Sequence, residues 1–462
     1  MKRSHEINMT EGAILPKLLQ FSMPILLMSI LQNLFNAADV VIVGKFSSSK
    51  AMAAVGSTTS LIGFLVSLFS GVASGTNILC ARYFGKGDPK KLTACLHTSV
   101  LLAVLLSLPV AVLGIVFSRL LLRMVNIDPL VMDMAALYLQ LYFLGITADM
   151  VFNFAAAGVR ATGNSRLPTI YLTVAGLTNL ALNCVFVIGF GMDVDGVAYA
   201  TVFSKYLSMF LLLRFMFRTQ DSCKLSWKQM RLHHGYVLPL LQLGIPAGIS
   251  GSLNNFANMT MQSSINAFGY MTTAGNAAAN SIMNFAYSSF GAVSSAVSCF
   301  TSQNVGAGKY KRVPQLLKRS MTLCVLLSAC FSCAFYFFGV ELLSLFVSAN
   351  DPNRDAIIAQ GMVKLMTVGV PIYCYGIFSA QSGVLGGFGR TFLSMLISIT
   401  SVFGFRISWV KFVVPVLPHE VKYVYLCLPL GMLLSSVMYA IAIAVVYRKY
   451  SRQMSERLPN PT

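Results

Sequence analysis

Residues 18–46 read LLQFSMPILLMSILQNLFNAADVVIVGKF. From Leu18 to Val43 the one ionised side chain is Asp39. A run that long and that apolar is enough to cross a bilayer core, which takes about 20 residues. On a helix, Gln32, Asn36 and Asp39 fall at spacings of four and three and form one polar stripe. Pro24 removes a backbone hydrogen bond from the same run, so a kink or hinge is expected there. A carboxylate inside a span costs at least about 2.5 kcal/mol, which makes Asp39 a candidate functional residue. The alternative is a structural aspartate, satisfied by neighbouring asparagines or capping a helix end.

The composition agrees with this stretch. The 462 residues are 56% hydrophobic and 11% charged, against about 25% charged in ordinary soluble domains. The net charge of +19 raises nucleic acid as a partner, but the basic residues cluster between apolar runs, where the positive-inside rule puts them. No nucleic-acid partner is expected. Ten cysteines are scattered, Cys184, Cys299, Cys324 and Cys330 inside apolar runs. No Cys-x-x-Cys pair is read among them, and neither a disulfide framework nor a metal site is expected. The first run is too long for a cleavable signal and has no small-residue cleavage site.

Twelve spans are predicted, at about residues 16–44, 50–81, 92–121, 130–156, 168–190, 195–217, 237–267, 271–305, 315–347, 355–386, 392–414 and 421–447. The longest connection, RTQDSCKLSWKQMRLHHGY at 218–236, divides them six and six. The expected domains are therefore 1–218, a cytoplasmic linker 219–236, and 237–462 with its basic tail. With the N-terminus inside, 24 Lys and Arg fall on the inner side and seven on the outer; Lys205, Lys364 and Arg406 lie within spans. That asymmetry predicts both termini in the cytoplasm. Single cysteines at Ser226 and Met454, in a background without native cysteines, should resist an impermeant thiol reagent in intact cells, and one at Asp351 should label. External labelling at 226 would invert every loop.

The chain also repeats itself. LLQFSMPILLMSILQNLFN at 18–36 returns as LLQLGIPAGISGSLNNFAN at 240–258, matching Pro24 with Pro246, Asn33 with Asn255 and Asn36 with Asn258. FGKGDPKK, with Gly85 and Gly87, matches VGAGKYKR, with Gly306 and Gly308; GVRATG at 158–163 matches GVLGGFG at 383–389. Six spans per repeat is an even number, so the repeats share one orientation, as in transporters whose halves rock about a central path. The Gly-x-Gly loops lack the spacing and preceding strand of a phosphate-binding loop, and are predicted to be tight turns with glycine at positive φ. No nucleotide-binding module is present in the chain, so an ion gradient is the expected source of energy.

In TNLALNCVFVIGFGMDVDGVAYATV, Asn179 and Asn183 share one helix face and Thr201 comes early in the next span; Asn153 lies late in the fourth. Their oxygens are hard ligands suited to Na⁺, or to a hydrogen-bond network around a protonatable Asp39. The alternative is interhelical hydrogen bonding alone. In the second half Met261 stands at the repeat position of Asp39, and no acid occupies the middle of a span. Lys364, Arg406 and Lys411 read as snorkelling or ion-paired side chains. Tyr373, Tyr375, Phe378 and Gln381 are candidates to line a cavity, or plain packing.

These motifs, in order and duplicated across about 15–447, resemble the multidrug and toxic compound extrusion (MATE) transporters of the MOP flippase superfamily. The carriers of the resemblance are Pro24 followed by NAADVVIVGKF, the turns ARYFGKGD and SQNVGAGK with Gln303, FNFAAAGVRATGNSRLP, and DGVAYATVFS. The resemblance implies an all-α polytopic protein of two pseudo-symmetric six-helix bundles in a prokaryotic plasma membrane. It implies a monomer that exports cationic or amphiphilic small organic molecules by alternating access, in exchange for Na⁺ or H⁺, with no other cofactor. The implied coupling site is Asp39 with Asn36, Asn153, Asn179, Asn183 and Thr201; for Na⁺ the ligands are Asp39, Asn179, Asn183 and Thr201. The implied substrate cavity takes Gln32, Asn254, Asn255, Asn258, Tyr375 and Gln381, with Pro24 as hinge.

The chain departs from the family pattern where Asn183 replaces a second aspartate, and where Asn254 and about Tyr375 stand at the carboxylates of another branch. A DinF-like member, coupled in its first half, fits better than a NorM-like one. A lipid-linked oligosaccharide flippase is the alternative, although no basic residue for a pyrophosphate falls between Leu18 and Val43 or between Tyr236 and Ala267. A passive channel is a third reading. No recognisable catalytic constellation is found, so an enzyme is not expected.

Overall fold

The computed structural model describes residues 6–46, 49–124, 127, 129–347 and 351–455. The side chains of 36–37, 39–41, 43–53, 57, 59–60 and 451–455, including those of Asn36 and Asp39, lie outside the description. The described chain is helix and loop, with no strand.

Six long helices come from the first half: α1 (Ile14–Phe46), α2 (Ser49–Lys86), α3 (Pro89–Val116), α4 (Met132–Ala161), α5 (Arg166–Asn183) and α6 (Val194–Arg218). The second half gives α7 (His234–Asn266), α8 (Tyr270–Gly306), α9 (Arg312–Phe337), α10 (Arg354–Gly369), α11 (Tyr373–Gly387), α12 (Thr391–Val416) and α13 (Val421–Tyr450). Ten helices of the described chain are long and apolar enough to cross a membrane, and α10 with α11 forms an eleventh, bent by 47°. The twelfth position belongs to α8, whose 37 residues are long enough but rich in Asn, Ser, Ala and Gly. Leu105, Leu108, Val112 and Val116 on α3 are each more than half exposed. Such an apolar outer face is what lipid, not water, favours. The expected all-α, twelve-span polytopic fold is the one found.

Three spans differ from the sequence reading. The third and ninth end early, each followed after a break by a short helix, Ser118–Met124 and Gly339–Ser344. The tenth is broken because Pro371, in its middle, has no N–H to continue the helix. At the offset of 225 that pairs Gly158 with Gly383, Ile146 of the unbroken α4 stands where Pro371 breaks the second half. The Gly-x-Gly loops behave as expected at their second glycines, Gly87 and Gly308, with φ of 70° and 72°; Gly163 and Gly389, in the other matched stretches, also lie at positive φ, 89° and 73°.

The backbone forms two compact units, Met1–Asn8 with Met23–Gly248 and Met9–Ser22 with Ile249–Thr462. They part inside α1 and α7, within two or three residues of Pro24 and Pro246, rather than in the 219–236 linker. In unit 1, α4 packs on α2, α3 and α6, and Ala155, Ala156 and Ala157 there are almost fully buried. The first turns of α7 stay with unit 1 because α2 and α7 meet through glycines. A Cβ on Gly71 would lie 2.2 Å from the Gly248 Cα, and one on Gly244 would lie 2.4 Å from the Val72 carbonyl oxygen. Gly71 and Gly75, like Gly244 and Gly248, are spaced four apart, the pattern that lets membrane helices approach closely.

The linker is fixed to unit 1. The Ser222 amide donates to Glu6 Oε1 at 2.7 Å. The Ser226 amide donates to His97 Nε2 at 2.9 Å, while His97 Nδ1 donates to the Thr93 carbonyl at 2.7 Å. Burial pushes the Cys223 thiol up to about 12, so it stays protonated. In unit 2, α8 and α11 lie at the centre. The segment before α1 is held there: the Met9 amide donates to Gln303 Oε1 at 3.1 Å and Asn304 Nδ2 to the Met9 carbonyl at 3.2 Å.

Candidate functional site

Unit 1 places three of the expected polar residues in one hydrogen-bonded chain. Asn183 Nδ2 donates to Asn179 Oδ1 at 3.3 Å, and Asn179 Nδ2 to Thr201 Oγ1 at 3.4 Å. The i, i+4 spacing stacks the two asparagines on one face of α5, and Thr201 reaches them from α6. Asn183 is fully buried and Asn179 nearly so. Immediately after Asn183 the helix widens into a π-helical turn, Cys184–Gly189, a local geometry often found at functional sites. Asn153 lies apart from this chain in its hydrogen bonding: its Nδ2 donates to the Asp149 carbonyl at 2.8 Å, one turn back on α4.

The relation of Asp39 to this chain follows from helix register. Thr169 Oγ1 donates to the Pro24 carbonyl at 2.9 Å. Further along, a Cβ on Gly176 would meet the Phe35 ring at 1.9 Å. Both contacts run in the same order on α1 and α5, so the two helices are parallel and in contact. Asp39 is one turn beyond Phe35, about 6 Å along α1. Asn179 and Asn183 are one and two turns beyond Gly176. The backbone of Asp39 is therefore level with the asparagine pair. Gln32 is exposed on α1, and α1 runs through Pro24 without interruption.

A second acidic residue in unit 1 is accounted for. Asp149 on α4 faces Lys205 on α6, with Nζ to Oδ2 at 3.8 Å, and the ammonium lies 3.7 Å from the centre of the Tyr142 ring. The sequence reading noted Lys205 without its partner; two opposite charges in spans four and six were the available signal. An aspartate matched by an ammonium offers less to a mobile cation than an unmatched one. Lys205→Met should lower thermal stability by up to about 3 kcal/mol, because it leaves a largely covered carboxylate unpaired. Asp149→Asn with Lys205→Met should recover most of that loss in a detergent unfolding assay. Failure of the double variant to recover would show that the pair is not a structural ion pair.

Unit 2 holds a cavity of about 450 Å³. Asn254, Asn258 and Gln262 supply one wall, one per turn of α7; Asn280, Asn284 and Tyr287 supply another from α8; Lys364, Tyr375 and Arg406 complete it from α10, α11 and α12. Of the expected cavity residues, Asn254, Asn258 and Tyr375 line it. Asn255 does not, and Gln381 is buried on α11 away from it.

Lys364 and Arg406 correct the expectation of snorkelling or ion pairing. They are 2% and 4% exposed, and no described carboxylate lies within 4.0 Å of either. Lys364 Nζ donates to Asn276 Oδ1 at 2.6 Å and to Asn280 Oδ1 at 2.5 Å. Arg406 donates from one terminal nitrogen to Asn258 Oδ1 at 3.0 Å. Lys411 is exposed. The cysteine reading also needs correction. Cys330 and Cys333 form a Cys-x-x-Cys on α9, but both are exposed free thiols. No metal-holding group of His, Cys, Asp and Glu occurs among the described residues.

The MatE family model matches residues 24–185 and again 246–410. The two matches begin at Pro24 and Pro246, the positions that the internal repeat pairs. This chain belongs to the MatE family. A MatE relative from Bacillus subtilis, the probable multidrug resistance protein YoeA, is 26% identical over 93% of this chain and 92% of its own length. The FAD transporter of Shewanella oneidensis is 25% identical over 73% of this chain and 75% of its own. A MOP superfamily transporter from Pyrococcus furiosus superposes with a TM-score of 0.90 at 16% identity, covering 98% of this chain and all of that one. The chain is a multi-pass membrane transporter of this family.

Proposed function

We propose that this MatE protein exports amphiphilic organic compounds across the cell membrane, both termini cytoplasmic, in exchange for Na⁺ or H⁺ bound at Asp39. The observation that carries the reading is the register that sets Asp39 level with Asn179 and Asn183, whose amides chain onto Thr201. A carboxylate with three neutral hard oxygens suits a sodium ion, and the same groups suit a proton on Asp39 with hydrogen-bond partners. The ion is a transported substrate. Entering from outside, it neutralises Asp39, and the change in the charge of unit 1 favours release of the organic compound outward. Pro24 lies where α1 passes from one unit to the other, a natural hinge for such a change.

The family name alone does not choose the organic substrate. One relative is named for multidrug resistance and another for FAD, which differ in charge. Of the two expected classes, an amphiphile is retained. A cationic substrate would meet two fixed cations and no described carboxylate in the unit 2 cavity. Those same cations are the one observation that favours the flippase alternative. Purified protein in liposomes, loaded with a panel of dyes, tests the reading when Na⁺ and H⁺ gradients are imposed separately. Uphill efflux that stops when one gradient is collapsed supports an exchanger. Downhill equilibration indifferent to both gradients indicates a channel, and movement of labelled lipid alone indicates a flippase.

A further inference from the structure

We infer that the unit 2 cavity is a binding site for an organic anion, whose carboxylate or phosphate is received by Lys364 and Arg406. The inference deepens the exporter reading by assigning a charge to the carried compound, and rests on that reading for the step of transport only.

A lysine and an arginine, each more than nine-tenths buried, line the same cavity. Burying one unmatched charge costs several kcal/mol, and two like charges at one cavity add repulsion. A purely structural role would be expected to supply carboxylates. This chain supplies amides instead: Asn276 and Asn280 accept from Lys364, and Asn258 accepts from Arg406. Amide oxygens orient a cation without neutralising it. The two side chains are thus held in place with their positive charge uncompensated among the described residues. Arg406 Nε is buried without a hydrogen-bond partner, and lysine retains a third N–H beyond its two asparagines. These are free donors for an oxyanion.

The surrounding geometry fits the rest of such a molecule. Tyr287 and Tyr375 lie with ring centres 4.7 Å apart, and with Phe378 and Met432 they give the cavity an aromatic and apolar side. A volume of about 450 Å³ lies within the usual range for small-molecule sites. Each cation sits beside a π-helical turn: Leu365–Gly369 follows Lys364, and Ile399–Gly404 and Trp409–Val413 flank Arg406. The ligand class is therefore a compact organic anion with a flat or apolar body. A soluble compound is favoured over a lipid because a volume of about 450 Å³ lies toward the small end of the range for small-molecule sites.

Three probes sharing one ring separate charge from shape: 1-naphthyl phosphate, 1-naphthol and 1-naphthylmethylammonium. Binding to the full-length protein is measured in phospholipid-free detergent, by fluorescence and by ligand-induced shift of the unfolding temperature. No gradient or transport is involved, so failure of ion coupling leaves this result readable. The phosphate should bind at least about tenfold tighter than the naphthol or the ammonium, and inorganic phosphate should compete with it. Lys364→Gln and Arg406→Gln should each erase that preference, and Lys364→Arg, which retains the charge and guards against a folding defect, should keep most of it. Binding of the ammonium as tightly as the phosphate would overturn the assignment. So would an unchanged phosphate preference in folded Arg406→Gln. Dioleoyl phosphatidate that binds where naphthyl phosphate does not would overturn the assignment to a soluble anion.

Discussion

Gly71→Ala is expected to deplete folded protein, although it adds a single methyl group to a 38-residue helix. The new Cβ would lie 2.2 Å from the Gly248 Cα and 2.7 Å from the Ala247 carbonyl carbon. Both are backbone atoms, so no rotamer change relieves the overlap, and α2 and α7 must separate along the whole crossing. Overpacking typically costs about 1–3 kcal/mol, and an overlap with backbone belongs at the upper end, a large part of the roughly 5–15 kcal/mol that holds a protein folded. On the same helix, a Cβ added at Gly63 would meet nothing within 4 Å, so Gly63→Ala should be neutral, or stabilising by up to about 1 kcal/mol through helix propensity. Thermal unfolding followed by size-exclusion chromatography in detergent compares the two. Equal behaviour would mean that α2 and α7 are not closely packed.

Much of the fold is legible in the amino-acid sequence because a bilayer imposes a length and an apolar composition on every span, and because the chain states its plan twice. Pro24 and Pro246, matched as sequence, prove to lie near the points where α1 and α7 change unit. The exchange itself was not legible: it depends on Gly71 and Gly75 meeting Gly244 and Gly248, and small residues four apart are common in membrane helices. The break at Pro371 carried a visible residue but no visible consequence, since proline is tolerated inside spans.

The candidate sites divide in the same way. Asn179, Asn183 and Thr201 could be grouped in advance because helical spacing brings the first two together and the next span supplies the third. Lys364 and Arg406 were conspicuous as charges, but their convergence depends on three-dimensional contacts among α7, α8, α10 and α12. Their lack of carboxylate partners among the described residues is a property of those contacts. Asp149 and Lys205, one on each of two spans, likewise became a pair only when α4 and α6 were seen to pack together.

Asp39→Asn should abolish gradient-driven efflux while leaving the protein folded. The substitution keeps size and shape and removes the group whose charge a cation is proposed to neutralise. The proposed exchange needs a side chain that is charged when empty and neutralised when a cation binds. Asparagine has no such second state. Alanine at Asn179 or Asn183 should weaken coupling less, because each of these supplies one neutral oxygen or N–H in a chain of several. The variants must match wild type in size-exclusion profile and unfolding temperature for the comparison to bear on coupling.

The decisive measurement is the initial rate of dye efflux from liposomes containing equal amounts of folded wild-type or Asp39→Asn protein, with an outward-directed dye load and an imposed inward Na⁺ or H⁺ gradient. The account predicts that wild type responds to one of the two gradients and that Asp39→Asn runs at the rate of protein-free liposomes under both. Wild-type rates from Asp39→Asn under the effective gradient would contradict it, and would leave Asp39 as a structural residue of α1.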